Sequence, residues 1–484
     1  MPELPPDAVI LIARVFPLVF VAAWGACVGS LINVLAYRIP LGQSVVTPPS
    51  RCPACETRLT WRENIPVLGW LILRGRCRFC RSPISPEYPI VEAMVAGLFT
   101  LLVALWYVIP NQYGSGPVFL GIDWKLLQPP WAAIGPWQTW PYMVLILILT
   151  GCLAAMTIID AKTYTIPLVL PWAATIAAIV FHLAHASYVQ FFAGGHLPRY
   201  MELHPEYRWV IPTTGTYRVF GAVAGAVLGV GVSLLMLHFG LITRSFNDYD
   251  AWEQEALKAD APAGADAPDV PRAPAGESVA STESAAAQPA SPGTAEHSPA
   301  QMWIQYPHAR REMVKELAFL APPAALGYVG FLLASWTWPA AKPLPDGVVG
   351  FVMEPHFTPL WLEALGGVLL GYLVGGGIVW TVRIGGSLAF GKEAMGMGDV
   401  HLLAAVGACV GWIYAVLAFF GAAFVGVAWA LVSAMSGGKV QRAMPYGPFL
   451  AVATLLVLVF RPAILKGLNI LVAVPEGGLP INFP

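Results

Sequence analysis

The chain is 484 residues long, with 57% hydrophobic and only 11% charged residues. A soluble protein of this length does not hide so much apolar surface, and the mean hydropathy of +0.64 makes this a polytopic membrane protein. A formal net charge of −1 singles out no partner; the distribution of Lys and Arg among the loops is what orients the chain.

The first apolar run, 9–36, is too long for a signal h-region and lacks a convincing processing site, so it is expected to stay as the first helix. Residues 37–89 carry Arg38, Arg51, Arg58, Arg62, Arg74, Arg76, Arg78 and Arg81 against Glu56, Glu63 and Glu87, which places this loop in the cytoplasm. Within it, Cys52-Pro-Ala-Cys55 and Cys77-Arg-Phe-Cys80 are two CxxC knuckles at the spacing of a closed, structural zinc site. A disulfide pair is disfavoured in a loop facing a reducing compartment. The basic module has no reader helix with interleaved aromatics, so membrane lipids rather than nucleic acid are the expected partners for its charge. Cys27, Cys152 and Cys409 lie singly in apolar runs, as packing residues do.

A span over 90–109 leads to a Trp-, Pro- and Gly-rich outer loop, 111–140, whose only Lys or Arg is Lys125. The span 141–159 returns inward and delivers Asp160 to the cytoplasmic boundary; 167–186 leaves again, and the polar stretch 195–215 is outside. His182, His185, His196 and His204 show no ligand pattern and are treated as loop histidines. After the span 220–241, residues 248–301 are dominated by Ala, Pro, Ser, Glu and Gly, a composition expected to stay disordered as a cytoplasmic linker. Arg310, Arg311 and Lys315 mark the inner face before the span 317–336. The span 361–382 carries Gly366, Gly367, Gly371, Gly375, Gly376 and Gly377, which favour close helix contact. Arg383 and Lys392 bracket the return to the cytoplasm, followed by a short span at 400–412 and spans at 415–434 and 450–460. The fold class is therefore all-α: a polytopic membrane helical bundle of about 8–9 transmembrane helices with a small cytoplasmic zinc-binding loop domain. Its divisions fall at 1–36, 37–89, 90–241, 242–316 and 317–484.

The chemistry centres on Gly391-Lys-Glu-Ala-Met-Gly-Met-Gly-Asp-Val-His401. A carboxylate at the mouth of an apolar run is a functional candidate, because its desolvation is costly without partners. Gly396 and Gly398 beside Asp399 leave room for an extended peptide to approach; a solvated Asp capping the next helix reads equally well from this motif alone. Asp160 supplies the second acidic site on the same membrane face. Two such carboxylates can share a proton, one acting as base toward water while the other polarises a scissile carbonyl.

Several stretches together resemble the type IV prepilin leader peptidase / N-methyltransferase family, membrane aspartyl proteases of the GxGD class. They are Gly29 through Pro40, the paired CxxC knuckles, Asn64 through Trp70, Tyr88 through Glu92, Gly391 through Trp412 and Met444 through Phe449. The resemblance implies Asp160 and Asp399 as the catalytic pair, supported in the motif by Glu393, Gly396, Gly398 and His401, and Cys52, Cys55, Cys77 and Cys80 as zinc ligands. It implies an inner-membrane enzyme with its site facing the cytoplasm, cutting the basic leader of prepilins or pseudopilins after a Gly, in type IV pilus or type II secretion systems. Bifunctional members also methylate the new N-terminus with S-adenosylmethionine. Leu168 stands where the family usually has an acid, and His401 where it often has Lys. The competing readings are a non-enzymatic assembly scaffold docking through its zinc loop, a proton-carrying transporter, and a presenilin-like protease, which needs no tetracysteine loop.

Overall fold

The computed structural model describes residues 6–110, 118–119, 122–123, 127–192, 212–214, 216–246, 252, 309–337, 359–391, 393–436 and 445–471. Apart from Trp252 the expected linker falls outside the described residues, as do Lys125, His196, His204 and Lys392.

In hydrocarbon every backbone N–H and C=O has to be satisfied within its own segment, so the apolar runs close into helices. They are α1 (Pro6–Arg38), α2 (Leu68–Ile72), α3 (Glu87–Val103, continued by a π-helical turn, Ala104–Val108), α4 (Pro136–Thr163) and α5 (Val169–Phe192). Then follow α6 (Tyr217–His238), α7 (Ala309–Thr337), α8 (Leu360–Phe390), α9 (Met397–Val410), α10 (Trp412–Met435) and α11 (Gly447–Leu471). Among the described residues eight helices are long and apolar enough to cross a membrane, and two shorter apolar ones, α9 and the Gly447–Arg461 part of α11, join them. The chain is thus a multi-pass helical membrane protein. Among the described residues the only strands are a two-residue antiparallel pair, β1 (Val118–Phe119) and β2 (Ile122–Asp123).

The short helix α9 is the centre of the bundle. It packs against α4, α5, α8, α10 and α11, and from Asp399 to Val410 every residue except His401 is buried. Its closest partner is α8, where glycine sets the approach: a Cβ on Gly371 would fall 2.0 Å from the Gly407 carbonyl oxygen, and one on Gly407 would fall 2.0 Å from that of Gly371. No other residue type fits that seam. On the periphery α1 pairs with α3, and α6 pairs with α7 as a hairpin leaning on α8.

Two details depart from the sequence reading. The helix α8 continues past residue 382 to Phe390, so Arg383 is an interior helical residue, 2% exposed and paired with buried Glu316 rather than a solvated loop charge. His182 and His185 lie on α5, not in a loop, and His182 is buried with Nε2 3.0 Å from the Cys409 carbonyl of α9.

Candidate active site and metal centre

Asp160 lies in the last turn of α4, where Tyr164 takes a left-handed conformation (φ 54°) and its N–H closes onto the Asp160 carbonyl at 2.9 Å. Asp399 lies in the first turn of α9, its N–H donating to the Gly396 carbonyl at 3.2 Å. Both are buried, at 5% and 7% exposure. Two contacts bring the helix ends together. Ile166, in the turn after α4, lies against Gly398, where a Cβ would fall 2.7 Å from the Ile166 Cβ. Gly447, at the start of α11, lies against both Ile166 and Asp160; a Cβ there would fall 2.6 Å from Asp160 Oδ2.

No hydrogen bond joins the two carboxylates among the described residues; what brings their helix ends together is the packing of Ile166 on Gly398 and of Gly447 on Ile166 and Asp160. Asp160 Oδ2 is buried and, among the described residues, meets no hydrogen-bond partner of ordinary geometry. Buried carboxylate oxygens are seldom left so, and those that are call for a functional account. The ring of Tyr446 borders the site; burial and then the negative charge of Asp399 push its hydroxyl above the ordinary tyrosine range. His401, the next polar group on α9, places Nδ1 3.2 Å from the Tyr372 hydroxyl on α8 and its ring 6.4 Å from that of Trp172.

The segment just before Asp399 is held by a buried arginine. Arg383 Nη1 donates to both Glu393 Oε1 and the Met395 carbonyl, while Ser387 Oγ accepts from the Ala394 N–H at 3.1 Å. Sequence reasoning missed the parts played by Arg383, Ile166 and Gly447. The Gly-Pro pair at 447–448 is the one local signal, since a residue without a side chain at a helix start permits close approach.

The four loop cysteines converge. Each CxxC knuckle is a turn closed by the same pair of backbone bonds: Cys52 N–H to Thr57 O at 3.0 Å and Glu56 N–H to Cys52 O at 2.9 Å, then Cys77 N–H to Ser82 O at 2.8 Å and Arg81 N–H to Cys77 O at 3.0 Å. In each the residue after the second Cys is left-handed, Glu56 at φ 54° and Arg81 at φ 61°. The sulfurs of Cys52 and Cys80 are 3.8 Å apart, those of Cys55 and Cys77 4.0 Å, and all four lie within 4.8 Å of one another. A tetrahedron with Zn–S bonds of about 2.3 Å has edges of about 3.8 Å, so the donor set fits a tetrathiolate zinc ion, and none of the four is in a disulfide. The loop is fastened to the membrane part by Glu92 of α3, whose carboxylate accepts the Val67 N–H at 2.6 Å, and by a Lys162–Glu87 ion pair that ties the end of α4 to the start of α3.

Comparison with known proteins gives the same two blocks. Residues 23–106 match the family described as "Bacterial Peptidase A24 N-terminal domain" and residues 343–431 match "Type IV leader peptidase family". Asp399 falls inside the second match; Asp160 falls in the unmatched stretch between them. A prepilin leader peptidase/N-methyltransferase of Myxococcus xanthus is 56% identical over 81 residues, 17% of this chain and 24% of that protein. One from Klebsiella pneumoniae is 45% identical over 83 residues, 16% and 36% of the two chains. One from Dickeya chrysanthemi is 30% identical over 201 residues, 36% and 60%. The chain therefore matches between about a quarter and three fifths of the length of these relatives. No solved structure matches.

Proposed function

We propose that this chain, which matches the leader peptidase families over residues 23–106 and 343–431, is a membrane aspartyl endopeptidase that removes the basic leader of prepilins or pseudopilins, cutting after Gly at the cytoplasmic face of the inner membrane. The observation that carries this reading is that Asp160 and Asp399, from helices far apart in sequence, are both buried at helix ends that pack together through Ile166, Gly398 and Gly447.

In this mechanism one carboxylate, ionised, takes a proton from water, and the other, protonated, donates to the scissile carbonyl oxygen. Water then adds to the carbonyl carbon to give a gem-diol; the proton held by the base passes to the leaving amide nitrogen as the C–N bond breaks, and a gem-diol hydroxyl returns its proton to the other carboxylate, restoring the singly protonated pair. Gly396 and Gly398 keep the approach to Asp399 clear, so an extended peptide reaches the dyad without meeting a side chain there. Burial of both groups keeps bulk water away from a pair whose joint protonation state sets the chemistry.

Cys52, Cys55, Cys77 and Cys80 would hold a zinc ion with no open position, so the metal supplies loop structure rather than Lewis acidity. The loop it folds, carrying eight arginines between 37 and 89, offers a docking platform beside the site. Transfer of a methyl group from S-adenosylmethionine to the new N-terminus belongs to the same proposal, as the names of the relatives pair the two activities; no residue of this chain is assigned to it.

The test is mass spectrometry of a prepilin incubated with S-adenosylmethionine and membranes containing wild type, Asp160→Asn or Asp399→Asn protein. A cut at the leader junction with wild type alone is expected. Cleavage by either variant refutes the dyad, and no cleavage by wild type favours the scaffold reading. A methyl on the product separates the second activity from the first.

A further inference from the structure

The hairpin of α6 and α7 lies wholly in the stretch 107–342 that neither family block covers. It is not merely attached to the bundle's edge. Its two cytoplasmic ends converge on one buried side chain, Arg383 of α8. Glu316, on the first turns of α7 and 3% exposed, accepts from Arg383 Nε at 3.1 and 3.2 Å and pairs with Nη2 at 3.1 Å. Glu316 also accepts from Trp380 Nε1 at 2.7 Å and from Ser245 Oγ, beyond the end of α6, at 3.1 Å. Beside Ser245, the ring of Phe246 stacks 5.3 Å from the Arg383 guanidinium, and its N–H donates to Glu312 Oε2 at 2.8 Å.

The guanidinium is thereby divided between two masters. Its Nε/Nη2 edge is held by the hairpin, and its remaining nitrogen, Nη1, holds the Glu393–Met395 segment that runs into Gly396 and Asp399. A planar fork fixed along one edge has its other nitrogen aimed with little freedom, which is the geometry that makes Arg a rigid bracket and Lys a poor substitute. Without the hairpin, Arg383 would be a buried cation with Glu393 as its sole carboxylate partner in the described structure. We infer that Glu316 and Arg383 are positioning residues through which the α6–α7 hairpin sets the placement of the Asp399 segment, so that the seating of this hairpin is coupled to catalysis. The inference rests on the proposed dyad, and touches neither the substrate nor the metal.

The experiment is a double-mutant cycle on the full-length protein in membranes: wild type, Glu316→Gln, Arg383→Gln and both together, with kcat and KM measured for prepilin cleavage. A misplacement near 1 Å at a reacting group lowers rate by about 100-fold. Glu316→Gln is expected to lower kcat about 10- to 100-fold with KM within twofold, and the double variant to be no slower than Arg383→Gln alone, because the two act in series. Wild-type kcat in Glu316→Gln, a loss confined to KM, or losses that multiply would each overturn it. If Glu316→Gln does not reach the membrane, Trp380→Phe removes one donor to Glu316 while keeping both charges; a smaller fall in kcat at constant KM is expected, and unchanged kinetics refutes. A readout independent of the reaction is maleimide labelling at Ala394→Cys, an exposed position in the held segment. Labelling should run several-fold faster when Glu316→Gln or Trp380→Phe is added, and an equal rate defeats the coupling even if wild type cuts no prepilin.

Discussion

Replacement of Gly447 by Ala isolates geometry from chemistry. The added methyl carbon would stand 2.6 Å from Asp160 Oδ2, whereas ordinary contact begins near 3.4 Å. Something must yield by about 0.8 Å, and Ile166 Cδ1 at 3.2 Å closes the other escape, so the displacement falls on the Asp160 carboxylate or on the start of α11. A shift of that size at a reacting group corresponds to a 10- to 100-fold loss in kcat, about 1.4 to 2.7 kcal/mol in the barrier. Gly447 is the first residue of α11, where the helix gain of Ala over Gly is less than the roughly 1 kcal/mol of a helix interior, so the protein should remain in the membrane with at most a modest change in thermal stability. Prepilin cleavage with purified full-length protein reads the rate, and Gly377→Ala, whose methyl would meet nothing within 4 Å, serves as the matched control with activity within twofold of wild type. Equal kcat for Gly447→Ala and Gly377→Ala would refute the assignment of Gly447 to the site.

Gly407→Ala, by contrast, drives a methyl to 2.0 Å from the Gly371 carbonyl and has to part α8 from α9; it should destabilise by about 1 to 3 kcal/mol or more and lower the melting temperature in detergent, which Gly377→Ala does not. Removal of zinc should unfold the 37–89 loop, since a structural zinc of this kind contributes on the order of 10 kcal/mol to its own module; limited proteolysis with and without chelator measures it, and an unchanged pattern contradicts a structural metal. Zinc affinity should also fall with pH. The Thr57 hydroxyl and backbone draw the metal-free Cys55 thiol down to about 6, so acid below that point returns a proton to a ligand and weakens binding, as a competition assay across pH 5 to 7 would register.

The legible part of the site is the part written in contiguous residues. Asp399 stands in an unusual glycine pattern, Asp160 interrupts an apolar boundary, and the knuckles announce themselves by spacing, because each depends on neighbours within a few positions. Arg383 could not be read this way. A cation at the end of an apolar run looks the same whether it meets headgroups or a buried carboxylate, and its partner Glu316 stands 67 residues away with no periodic pattern between them. The length of α8 was hidden for the same reason: once Arg383 is paired, hydropathy no longer marks where the helix must stop. Gly447 meets Asp160 across more than half the chain, and only the packed bundle makes that meeting visible.

The walling-in of α9 constrains how the protein can move. A helix clasped by five neighbours, with a glycine seam on one of them too tight for a methyl group, has no room to slide or rotate without opening the whole bundle. It is a fixed post, and Asp399 is mounted on it. If the proposed dyad closes around a bound peptide, the movement therefore falls to the other side: the turn after Asp160, where Tyr164 and Leu168 stand half in the open, and the start of α11 that leans on it.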